Sequence, residues 1–145
     1  MTKATTPSTI TIEKADKKDF DLLIEDRGSY FHGRDRKEVF IMAMVYGYDR
    51  GVWKPLRDKL SGGYFRVEYL NDQEKTLIKA LAVHREGSLD VLLDPKHVYS
   101  IAEELAAGGV AHLKEEVFNT RFGTYENRLL EYLVKLCHQL PEEPR

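Results

Sequence analysis

Residues 39–46 read Val39-Phe40-Ile41-Met42-Ala43-Met44-Val45-Tyr46 and are apolar on every side of a helical projection. A helix with no polar face has to be enclosed by the rest of its domain. This stretch therefore predicts a central helix around which other elements pack. Asp35, with Glu38 three residues on, has the spacing of a capping box, and Gly47 predicts the stop.

Working outward toward the N-terminus, Asp16 is placed to cap a helix over residues 17–26 with Phe20, Leu23 and Ile24 inward. Thr9-Ile10-Thr11-Ile12 alternates and is β-branched, as a short strand requires. Residues 1–8 are rich in Thr, Ser and Pro and are expected to be disordered. Downstream, Gly51, Pro55, Gly62 and Gly63 break residues 48–63 into a loop. The alternation of residues 65–69 predicts a second strand, pairing with 9–12.

Asn71 with Glu74 repeats the cap spacing and opens a helix through Leu77, Ile78, Leu81 and Ala82 to Gly87. Asp94-Pro95 opens another, since Pro at the first helical position gives up no needed donor. Its apolar positions are Val98, Ile101, Ala102 and Leu105, and Gly108-Gly109 predicts its end. A shorter helix carries Val110, Leu113 and Val117. Thr124 opens the last, with Leu129, Leu130, Leu133, Val134 and Cys137 inward and Pro141 as its stop. The expectation is a mainly α protein: a compact bundle of about six helices with at most a small two-stranded β element. Residues 9–140 form one domain and 141–145 a tail.

With 42% hydrophobic and 32% charged residues over 145 positions, the chain is globular and large enough for a core of its own. Cys137 is the single cysteine, so no internal disulfide forms and a reducing compartment is expected. The longest uncharged run, residues 39–48, is half the length of a membrane span. Residues 1–18 lack the apolar core of a signal peptide. The expected location is the cytoplasm.

A net charge of −2 conceals an asymmetry. Residues 27–66 hold nine basic and four acidic groups, a balance of +5, whereas residues 67–145 hold nine and fourteen, or −5. Tyr30, Phe31, Tyr46, Tyr48, Trp53, Tyr64 and Phe65 lie in the basic stretch. Cations interleaved with aromatics suit a surface that tracks a phosphate backbone and stacks bases. The candidate contacts are Arg34, Arg36, Lys37, Arg50, Lys54, Arg57 and Lys59, with Trp53 and Tyr48 as stacking or anchoring groups. The same stretch would suit an acidic protein, including the acidic half of a second copy. Tyr46, in the central helix, reads as packing.

No catalytic set emerges. His32, His84, His97, His112 and His138 lack the i, i+4 spacing of a helical metal pair, and no second cysteine exists for zinc. Neither a catalytic residue, a metal nor a cofactor is expected. Cys137 reads as a buried, inert thiol, with His138 about 100° away round the helix. Glu103-Glu104, Glu115-Glu116 and the pair Glu126 and Glu131 read as a solvated face. Ser61-Gly62-Gly63 lacks the Lys of a phosphate loop, and in Asp94-Pro95-Lys96, superficially like a nuclease pattern, the Asp is a cap.

The segment GRDRKEVFIMAMVYGYDRG, residues 33–51, resembles the opening motif of a small family associated with DNA phosphorothioation (Dnd) gene clusters. LNDQEKTLIKALAVHREGSLDVLLD (70–94) and IAEELAAGGVAHLKEEVF (101–118) are similar to the family's remaining body. The likeness covers roughly residues 14–136. It implies a DNA-modification or defence context and work beside DNA-handling proteins, and brings no catalytic set to carry over. Two functions follow as expectations. One is a non-enzymatic accessory protein touching nucleic acid or a DNA-handling partner through residues 27–66. The other is a protein-interaction or self-associating module that binds no nucleic acid.

Overall fold

The computed structural model describes residues 5–119 and 123–139. Among them are five α-helices and one two-stranded antiparallel sheet, so the protein is mainly α. The helices are α1 (Lys17–Glu25), α2 (Arg36–Arg50), α3 (Asp72–Glu86), α4 (Pro95–Phe118) and α5 (Tyr125–Gln139). Strand β1 (Thr9–Ile10) pairs with β2 (Phe65–Arg66), matching Thr9 to Arg66 and Ile10 to Phe65.

The centre of the molecule is the α2–α4 pair. Val39, Phe40, Ala43 and Met44 of α2 meet Ile101, Leu105, Val110 and Leu113 of α4, all within 1–2% of complete burial. Phe20 and Leu23 of α1, Ile10 of β1 and Ile78 of α3 close the core around them. The expected central helix is therefore found, but it does not stop at Gly47. It runs three residues further and ends at Gly51, whose φ of 67° gives the left-handed cap that the helix end needs.

Gly47 has a different task. A Cβ built on it would lie 2.0 Å from the Leu105 carbonyl oxygen. One on Gly109 would lie 1.9 Å from the Ala43 carbonyl, and one on Gly108 2.5 Å from that of Val52. The three glycines let the backbones of α2, α4 and the segment after α2 come nearly into contact. Gly108-Gly109 is thus no helix stop, and residues 95–118 form one helix of 24 residues where two were expected. The penalty of a glycine inside a helix, about 1 kcal/mol, is offset by the packing that only its missing side chain permits.

The caps divide instructively. Asn71 and Glu74 form a reciprocal capping box, the Glu74 amide donating to Asn71 Oδ1 at 2.8 Å and the Asn71 amide to Glu74 Oε1 at 2.9 Å. Glu74 also accepts from Lys37 at 2.9 Å. Burial alone would push its carboxyl up, but the Asn71 amide and Lys37 together hold it below the usual carboxylate range. Glu74→Ala is expected to cost about 1 kcal/mol, read as a lower urea midpoint. Its depressed pKa means that this contribution is present above the unfolded pKa and is lost as pH falls through the folded one.

The Asp35 and Asp16 caps are not made by side chains. At α2 the Glu38 amide is taken by the Asp35 backbone carbonyl at 3.1 Å. At α1 a 3-10 turn over Lys14–Asp16 leads straight into the helix and leaves Asp16 with helical dihedrals.

The last helix departs most from expectation. Only Tyr125 of α5 is buried, and Leu129 packs partly against the core. Leu130 is 61% exposed, Leu133 48% and Val134 47%, and Cys137 is exposed. The stripe is apolar as read, but α5 is secured to the body by its first turn. The Tyr125 ring packs against Tyr30 and Phe31, and its hydroxyl lies 3.2 Å from that of Tyr46. Arg128 binds Glu116 Oε2 at 2.7 Å, the Asn119 carbonyl at 2.6 Å and the Glu116 carbonyl. Tyr132 reaches Asp49 at only 3.5 Å. Thr124 opens the helix as expected, accepting from the Asn127 amide. Pro141, residues 1–4 of the expected disordered segment and the 141–145 tail lie outside the described residues.

Candidate nucleic-acid interface

The basic stretch is distributed over three places. Residues 51–64 form a strap that leaves the C-terminal end of α2 and returns to its N-terminal end, where Arg36 Nη1 bonds the Tyr64 carbonyl at 2.9 Å. The α2 helix between these points is about 21 Å long. The strap backbone is held at several points. Lys54 N–H donates to the Glu104 carbonyl at 3.0 Å. The Arg57 and Asp58 amides both donate to the Glu13 carboxylate at 2.9 Å, and the Leu60 amide to the Ile12 carbonyl at 2.9 Å. A bridge between Glu13 and Lys59 continues the β1–β2 pairing in a shifted register. The shift is absorbed at Gly62 and Gly63, with φ of 82° and 79°.

On this strap Lys54, Arg57 and Lys59 are exposed, and no ion pair involves their side chains among the described residues. Carboxylates nonetheless stand close to them: Lys54 lies near enough to Asp16, and Lys59 to Glu103, to offset in part the upward push that burial gives those carboxyls.

The second place is a cleft of about 820 Å³ at the N-terminal end of α2, lined by Asp35, Arg36, Lys37, Tyr64, Arg66 and Tyr69 among others. Arg36 also lies over the Tyr64 ring, 5.0 Å from its centroid. Lys37 is paired with Glu74, and Arg66 with Glu68 at 2.9 Å. The Arg66–Glu68 pair has both side chains about two-thirds exposed, and such a pair holds little free energy against a competing anion. Arg34 stands exposed beside this end of the helix. Arg66 and the 60%-exposed Tyr69 were not among the candidate contacts. The alternation of residues 65–69 was the available signal, since it turns Arg66 outward.

The third place takes Arg50 and Tyr48 away from the other candidates. Arg50 bonds Glu116 at 3.3 Å and lies over the Tyr46 ring, inside a groove between α2 and α5. Tyr48 lines the same groove, and its hydroxyl hydrogen-bonds His84 Nδ1 of α3. Trp53, half exposed, carries Arg85 stacked 4.8 Å above its ring, and Arg85 in turn pairs with Glu104 at 2.7 Å. Trp53 is thus a stacking platform already covered on one face.

Half of the carboxylates expected on a solvated face are engaged, while Glu115, Glu126 and Glu131 are exposed as expected. Glu104 and Glu116 hold Arg85, Arg50 and Arg128. Glu103 is partly buried and accepts the Thr11 amide at 2.7 Å, and burial pushes its carboxyl above the usual range. These are structural uses, tying β1, the strap and α3 to α4. Among the described residues no three His, Cys, Asp or Glu side chains are placed to hold a metal. No helix of the described residues is long and apolar enough to cross a membrane.

The family model for DNA sulphur modification system-associated protein 4 matches residues 16–144, spanning every helix described above. The chain belongs to that family. In this member of the DNA sulphur modification system-associated protein 4 family, the segments carrying the earlier resemblance are α2 with its flanks, α3 and the core of α4. They are the elements that build the central packing. No curated protein and no solved structure matches the chain.

Proposed function

We propose that this protein is a non-enzymatic accessory component of a DNA sulphur modification or restriction system, acting in the cytoplasm and touching nucleic acid through its strap and cleft. The observation that carries the reading is the run of exposed cations on the strap, together with those at the N-terminal end of α2. These are Lys54, Arg57 and Lys59, on a backbone already held by hydrogen bonds, and Arg34 and Arg36. Phosphate contacts of this kind position a protein without reading sequence. Tyr69 and the open face of Trp53 supply surfaces on which unpaired bases would stack.

A fluorescence anisotropy titration across salt, with duplex, single-stranded and phosphorothioate-containing DNA, tests this. The triple variant Lys54→Ala, Arg57→Ala, Lys59→Ala is expected to weaken binding alike on all sequences. It should also flatten the log–log salt slope by about 2–3, at roughly 0.9 per duplex phosphate lost. Binding that is absent at low salt, or unchanged in the triple variant, removes the reading.

The groove between α2 and α5 favours a second reading, a protein-interaction module. It encloses about 580 Å³ and is lined by Met42, Val45, Leu129, Leu133 and Leu136 among others. An apolar surface of this extent suits a protein partner better than a phosphate backbone.

A further inference from the structure

Each residue of a helix advances about 100°, so the apolar residues of α5 fall into two adjoining stripes. Leu129, Tyr132 and Leu136 line the groove toward α2. Leu130, Val134 and Cys137, at i, i+4 and i+7, form the other, with Leu133 between the two. This second stripe is exposed along its length and touches nothing in its own chain that would bury it. Contiguous apolar exposure over about two helical turns marks an interaction surface, unlike a single exposed leucine.

We propose that the second stripe is a self-association surface, on which α5 of one copy packs antiparallel against α5 of another about a two-fold axis near residues 133 and 134. Three features point to a second copy as the occupant. The spacing is that of a helix–helix seam. Reversal about residues 133 and 134 sets the large Leu130 against the small Cys137 of the other copy, so each end is filled by a complementary volume. Charge selects the direction: Glu131 and His138 lie on the same edge of the stripe, and an antiparallel pair brings each Glu131 beside the partner's His138. A parallel pair would put the two Glu131 edges on opposite sides of the seam, each facing the partner's apolar Leu133 edge with no opposite charge. Opposed helix macrodipoles favour the same arrangement. The proposal uses none of the strap cations and stands apart from nucleic-acid contact.

Light scattering coupled to size exclusion, on the full chain from micromolar to submillimolar concentration, is expected to show twice the chain mass. Val134→Glu, at a side chain already 47% exposed, should give a monomer with an unchanged circular dichroism spectrum. Cysteine cross-linking fixes the geometry. In a Cys137→Ser background, Val134→Cys lies next to its counterpart across the axis and should form a disulfide on mild oxidation. The native Cys137 should not, because the two copies of it are about 10 Å apart along the helices, beyond disulfide reach. A single-chain mass throughout the range, or a dimer that survives Val134→Glu, overturns the proposal and leaves the stripe to a different protein. Cross-linking through Cys137 in preference to position 134 overturns the antiparallel register.

Discussion

Replacing Gly109 with alanine is expected to lower the urea midpoint sharply, although the same change in an ordinary helix raises stability. Helix propensity alone favours alanine by about 1 kcal/mol. Here the new methyl would stand 1.9 Å from the Ala43 carbonyl oxygen and 2.5 Å from the Gly47 nitrogen, both backbone atoms that no rotamer change can move aside. The α2 and α4 backbones must separate by about an ångström to admit it, loosening every contact along their seam. Overpacking of this kind costs up to about 3 kcal/mol or more, so the steric effect wins. Gly47→Ala, at 2.0 Å from the Leu105 carbonyl, should behave alike. The exposed Ala111→Gly on the same helix serves as the control and should lose only the propensity difference. A Gly109→Ala protein as stable as the parent would show that the helices do not approach so closely.

The second large effect is expected at Arg128. Its guanidinium is the main polar tie between α5 and the end of α4, bonding one carboxylate and two backbone carbonyls. Arg128→Met keeps the stem and removes all three bonds. Hydrogen bonds that involve a charged group contribute about 1.5–3 kcal/mol each, and their loss is concentrated on a helix with little else holding it. Amide hydrogen exchange should show α5 losing protection while α2 and α4 keep theirs, the signature of local rather than global opening. Equal loss of protection in all helices would mean that α5 is integral to the cooperative unit.

These two sites also mark where the sequence stopped being legible. The central helix, the Asn71 and Asp94 helix starts, and the antiparallel pairing at 9–10 with 65–66 follow from local chemistry: periodicity, capping and alternation. The expected strand over 65–69 is cut short, because Val67–Tyr69 turn into a 3-10 helix. Gly47, Gly108 and Gly109 were misread because a glycine in a helical pattern signals either a stop or a close approach. Only the position of another helix, more than fifty residues away in the chain, decides between them. The α5 stripe was misread for a related reason. Amphipathicity shows that a face needs a partner without saying that the partner belongs to the same chain. For the candidate interface, the sequence located the cations, but their dispersal among strap, cleft and groove depends on where Glu74 and Glu116 fall in space.

The strap has a consequence for how any polyanion would be met. Its amides at positions 54, 57, 58 and 60 are already satisfied within the protein, so docking demands no ordering of the loop. Calorimetry of such an encounter should give a heat-capacity change close to zero, without the large negative value that accompanies coupled folding. On duplex, where no base is free to stack, its free energy would then derive almost wholly from displaced counterions, and it would fade in a predictable way as the medium becomes more saline.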